Sequence, residues 1–158
     1  MFIDIPIFNG QACLGFPVSS DENWFDDANL QSEQPGLVSA IDELSETFQN
    51  GDIDALAALI SPNVSVAVYE RGKYRYSMDS ADFVDLTRDA IQNNQVKSFN
   101  LEILHQRQPG VFSVSGHETY TDSSGTTRTV WVSYVLQDYS GQWTLTQVGT
   151  SPDHTQTW

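Results

Sequence analysis

Glu118 is the side chain of this sequence best suited to moving a proton. It falls within 111–121, where alternation places it on the same strand face as Phe112 and Tyr120. A carboxyl group walled in by apolar side chains has its ionised form disfavoured, so it can take up and return a proton near neutrality. Carrying the register through a four-residue turn at 122–125 pairs Glu118 with Thr129 and brings Trp131 and Ser133 to that face; the last turn adds Gln147. Tyr76 supplies a hydroxyl from an earlier hairpin. The expected site is therefore Glu118 as general base in a pocket of Tyr76, Phe112, Tyr120, Trp131, Ser133 and Gln147, with Tyr69, Thr129 and His105 at its margins. The bland alternative is a Glu118 at a solvent-reaching strand end, or bonded to Thr129 across the ladder, with the aromatics serving as core.

Other chemistries find no support in the spacing. His105, His117 and His154 fall on different faces or in the tail, none at i, i+4, so no metal site is expected. Neither a Gly-x-Ser-x-Gly elbow nor a Gly-x-Gly-x-x-Gly or phosphate loop occurs, which removes nucleophilic and nucleotide-dependent mechanisms; no cofactor is expected. Cys13 is the single cysteine and allows no internal disulfide.

Charge narrows the partners. The chain has 21 Asp and Glu against 7 Lys and Arg, and its first 70 residues hold twelve acids and no base. Such a surface repels nucleic acid and anionic lipid and suits a basic protein partner, or simply keeps the chain soluble. Arg71, Lys73 and Arg75 form the one basic cluster, read as offsetting acidic helices nearby or as holding an anion. No window approaches the length of an apolar membrane span and no signal peptide is visible. The expected location is soluble and cytoplasmic, with export after loss of a leader as the alternative.

These residues must be positioned by elements that the periodicities outline. Residues 1–34 read as an irregular acidic arm whose Phe and Trp residues pack onto the domain, 35–151 as the domain, and 152–158 as a tail. Leu37, Ile41, Leu44 and Phe48 describe one buried helical stripe. Asn50-Gly51 closes that helix, and Asp52 caps a short second one running to Ile60. From Val64 the period becomes two, giving a hairpin that turns near Arg71-Gly72. Asp79 or Ser80 caps a third helix to about Asn94, and four long strands follow. The order ααββαββββ makes an α+β fold in which three helices close one face of a curved antiparallel sheet around a cone-shaped cavity. Val111, Val130, Val132, Tyr134 and Leu136 would lie on the opposite, outer face, apolar enough to pack against a second copy.

The segment from Asn50 through Gly51-Asp52, Ala55-Leu56 and Leu59 to Val64 resembles the Gly-Asp-x-x-Ala-Leu-x-x-Leu-x-x-x-x-Val link of nuclear-transport-factor-2-like proteins, including their SnoaL-like and ketosteroid-isomerase-like branches. Gly141-Gln142-Trp143-Thr144-Leu145 is similar to that superfamily's Gly-x-Trp-x-Ile closing strand. The resemblance covers about Pro35 to Ser151 and is specific to scaffold. It implies a cystatin-like cone and a homodimer formed sheet to sheet. It also implies a SnoaL-like module that binds a small apolar molecule or a partner chain. The alternative it implies is a cofactor-independent isomerase, dehydratase or cyclase acting on a small apolar carbonyl compound, with Tyr76 or Gln147 polarising the oxygen. No branch's complete active-site set is present.

Overall fold

The structure is a computed structural model and describes residues 34–152. The expected arm and tail lie almost wholly outside these residues. Helix α1 (Leu37–Asn50) buries Leu37, Ile41, Leu44 and Phe48, the stripe read from the sequence, together with Ala40 and Thr47. Gly51, at φ 74°, ends it in the left-handed conformation that glycine adopts at least cost. Asp52 then caps α2 (Ile53–Ala57): its Oδ1 accepts from the backbone N–H of Asp54 at 3.0 Å and of Ala55 at 3.2 Å. The helix stops short of the expected Ile60, and single turns carry the chain onward, with Leu59 N–H donating to Leu56 O at 2.9 Å. Asp52→Ala strips two N–H groups of their acceptor and should cost about 1 kcal/mol, read as a lower urea midpoint with an unchanged slope.

Strands β1 (Val66–Glu70) and β2 (Lys73–Met78) form the hairpin, and α3 (Ser80–Asn93) follows with Asp79 accepting from Asp82 N–H at 2.9 Å. The long strands β3 (Gln95–Gln108), β4 (Val111–Thr121), β5 (Thr127–Tyr139) and β6 (Gln142–Ser151) complete the chain order that the sequence predicts. In space the order is β2-β1-β6-β5-β4-β3. Neighbours are antiparallel except β1 and β6, which run parallel, so the sheet is mixed and open.

The register departs from expectation by one residue, with consequences for every side chain on β5. Thr121 pairs with Thr127, so the β4–β5 loop has five residues, 122–126, and not four. Asp122 causes this: its Oδ1 accepts from Ser124 N–H and Thr126 N–H, each at 3.0 Å, and from Ser124 Oγ at 2.6 Å, wrapping one extra residue into the turn. Because side chains alternate, Glu118 is now opposite Val130, Gly116 opposite Val132, Val114 opposite Tyr134 and Phe112 opposite Leu136. Val130, Val132, Tyr134 and Leu136, expected outside, join the core beneath the helices. Phe48 stacks on Tyr134 and on Phe99 with ring centroids 5.3 and 5.5 Å away.

On β6, Gln147 and Gly149 stay with Trp131, Ser133 and Val135, but on the face turned away from the helices. An irregularity between Val135 and Leu136 then switches the strand end, so Trp143 and Leu145 point inward. The Trp143 indole N–H donates to Pro35 O at 2.8 Å and its ring meets Phe112 edge-on.

Candidate functional site

The register separates the residues expected to share one pocket. Glu118, Phe112 and Tyr120 lie between sheet and helices, all buried. Trp131, Ser133 and Gln147 lie on the other face. There Trp131 meets His117 edge-on at 4.8 Å, and His117 Nδ1 pairs with Glu102. Tyr76 is 46% exposed on the edge strand β2, with β1, β6 and β5 between it and β4. Of the margins, Tyr69 packs against Val135, His105 pairs with Ser113, and the Thr129 hydroxyl meets that of Thr119 at 2.9 Å instead of reaching Glu118. Burial, aided by Arg107, lowers the His105 pKa. Gly116 is required by a close backbone approach. A Cβ there would stand 1.8 Å from Asn100 O, because β3 closes over β4 where its ladder shifts between Leu101 and Ile103.

Glu118 has the environment the sequence suggested, though with other walls. Cross-strand neighbours Phe99 and Val130 flank it, and burial pushes its carboxyl up to about 7. Its Oε1 is buried with no hydrogen-bond partner among the described residues. Tyr134, fully enclosed, has its phenol pushed well above the ordinary range, first by burial and then by the Glu118 charge. The interior expected to be an open cone is filled by Phe48, Phe99, Phe83 and Tyr134. What remains beside Glu118 is a void of about 10 Å³ bounded by Phe48, Ala90, Ile91, Val96 and Tyr120, room for one water at most.

The larger concavity is at the mouth of the cone, with a volume of about 720 Å³. Five segments converge there: the β1–β2 turn with Glu70 and Arg71, the end of α3 with Asn93 and Asn94, the β4–β5 turn, the start of β5 with Arg128 to Val130, and the end of β6 with Thr150. Tyr120 and Asn94 line this mouth and the inner void alike, so they stand between the ligand-sized space and Glu118. Asp122 fixes the turn and also holds Arg128, whose Nε donates to Oδ2 at 3.0 Å. Hydrogen bonds from Ser124 and from Arg128 keep the Asp122 carboxyl well below the usual carboxylate range. Sequence reasoning missed Arg128, Asn93 and Asn94 as site residues, because loop ends join only once the sheet order is known. Smaller grooves among the described residues include one of about 340 Å³ between α1 and β3 and one of about 520 Å³ between α1, α2 and β6. Neither of them adjoins Glu118.

A family model described as a domain of unknown function, DUF4783, matches residues 41–150. No curated protein matches the chain in sequence. Among solved structures, a DUF4783 family protein from Bacteroides ovatus ATCC 8483 is 16% identical, with a TM-score of 0.52, covering 69% of this chain and 91% of its own. An LEH-like epoxide hydrolase of M. tuberculosis is 13% identical at a TM-score of 0.56, covering 75% of this chain and 84% of its own. An Rd1NTF2 variant is 20% identical at 0.55, covering 75% of this chain and 98% of its own. At these identities the likeness is one of fold, the nuclear-transport-factor-2-like cone that the sequence resemblance implied.

Proposed function

We propose that this chain, which belongs to the DUF4783 family, is a small-molecule-binding module whose ligand sits at the mouth of the cone. The observation that carries this reading is the mouth itself. Its volume falls within the roughly 300–1,000 Å³ of ordinary ligand sites, and five separate segments bring hydrogen-bonding groups to it around a floor of Tyr120 and Val130. The filled interior supports the same placement, since it has no room for a ligand without rearrangement.

Titrating the isotope-labelled full chain with a cyclic ketone and the matching alcohol tests this. The amide signals of Thr129, Val130 and Thr150 should move together and saturate. Shifts confined to Val38, Ile41 and Leu101 would place binding in the groove along α1 and sink the mouth reading.

The second reading, a cofactor-independent proton-transfer enzyme, is favoured by one observation: Glu118 is buried, raised toward neutrality and without a hydrogen-bond partner at Oε1 among the described residues. It would need Tyr120 to swing aside so that a substrate at the mouth reaches the carboxyl. The LEH-like epoxide hydrolase on the same fold makes an enzymatic use of the scaffold reasonable without assigning one here. A homodimer through the outer sheet face has less support. Ser113, Ser115, Ser133 and Val135 are already buried within one chain, which leaves that stretch little apolar area to give to a second copy.

A further inference from the structure

Arg71 occupies the first central position of the two-residue β1–β2 turn with φ 51°, a left-handed conformation that glycine and asparagine adopt far more readily. Nothing in the turn requires an arginine, so an occupant that strains it points to a use for its side chain. In a chain with three times as many acids as bases, Arg71 has no carboxylate partner among the described residues. The nearby acids are engaged elsewhere: Glu70 pairs with Arg75 at 3.4 Å and Asp122 with Arg128 at 3.0 Å. Its backbone N–H donates to Thr150 O at 3.2 Å, which ties the turn to the end of β6 at the rim of the mouth. The site thus offers one guanidinium with no carboxylate partner among the described residues, at a mouth that Tyr120 and Val130 also line.

We propose that the mouth takes an amphiphilic carboxylate, its acid group on Arg71 and its apolar body over Tyr120 and Val130. This deepens the mouth-binding reading and rests on it. A guanidinium grips a carboxylate through paired charge-assisted hydrogen bonds, while a neutral analogue of the same shape gains only the floor contacts.

Octanoate and octan-1-ol, titrated into the full chain at low salt and followed by the amide signals of Val130 and Thr150, provide the test. Octanoate should bind about tenfold tighter than the alcohol, the range of a charge-assisted contact. Arg71→Asn should erase that difference, leave the alcohol's affinity unchanged, and melt no lower than the parent, because asparagine suits the turn. Equal binding of the two probes at Val130 and Thr150, or a preference for octanoate that survives Arg71→Asn, overturns the carboxylate inference and leaves the mouth reading standing. If neither probe moves those signals, both fall.

Discussion

Gly116→Ala should cost the fold about 3 kcal/mol or more, the upper end of what overpacking a tight site does. The added methyl would stand 1.8 Å from Asn100 O, 2.7 Å from Asn100 C and 2.8 Å from Leu101 Cα. These are backbone atoms with no rotamer to change, so relief requires β3 to lift off β4 along the edge of the sheet. Glu118 and Tyr120 are the next two inward-facing residues on the same strand, so a surviving fold would also show displaced signals at the mouth. Gly125→Ala is the comparison: a Cβ added to that glycine, at φ 86°, would meet nothing within 4 Å among the described residues, and its replacement carries only a conformational cost of roughly 1 kcal/mol. Urea unfolding of both variants decides the matter. A Gly116→Ala chain within 1 kcal/mol of the parent would mean the strands are farther apart than described.

Glu118→Gln should remove a pH dependence of stability that the parent chain carries. The carboxyl ionises near 4.5 when unfolded and near 7 when folded. Between those values the unfolded chain has released a proton that the folded chain still holds, so folding stability declines as pH rises. The contribution is complete below about 4.5 and lost by the time pH passes the folded value. A separation of that size corresponds to about 3 kcal/mol, at no more than about 1.4 kcal/mol per pH unit. Glutamine has nothing to titrate. Parent and variant unfolded by urea at pH 5 and pH 8 should therefore differ in how much stability each loses over the interval, the variant losing roughly 2 to 3 kcal/mol less. Parallel profiles would show that the carboxyl is solvated, and would remove the proton-transfer reading with it.

Elements governed by local chemistry were legible from residue types alone. The α1 stripe, the caps Asp52 and Asp79, the Arg71-Gly72 turn and the chain order follow from short-range preferences that the tertiary structure did not override. The inward position of Glu118 was legible too, because β4 carries an apolar alternation that fixes its own buried face. The relation between β4 and β5 was not, since it depends on whether the connecting loop has four residues or five. The signal was present in Asp122-Ser123-Ser124: an Asp beside Ser and Thr can wrap backbone N–H groups and lengthen a turn. The side chains alone gave no warning, as Val130, Val132 and Tyr134 suit an outer face about as well as Trp131, Ser133 and Val135 suit an inner one. With that parity inverted, Tyr134 entered the cone and occupied the space expected for a ligand.

The closing strand reaches back to the beginning of the domain in three places. Trp143 donates to Pro35, Leu145 N–H donates to Leu59 O at 2.8 Å, and the Gln142 amide donates to Ala58 O at 2.9 Å. During synthesis the first two helices therefore emerge long before the groups that clasp them exist. Contacts separated by most of the domain make assembly slow, and they place its decisive step after the final hairpin has left the ribosome. Truncation at residue 141 should accordingly release the helices as well as the missing strand, leaving a chain that a protease digests from both ends.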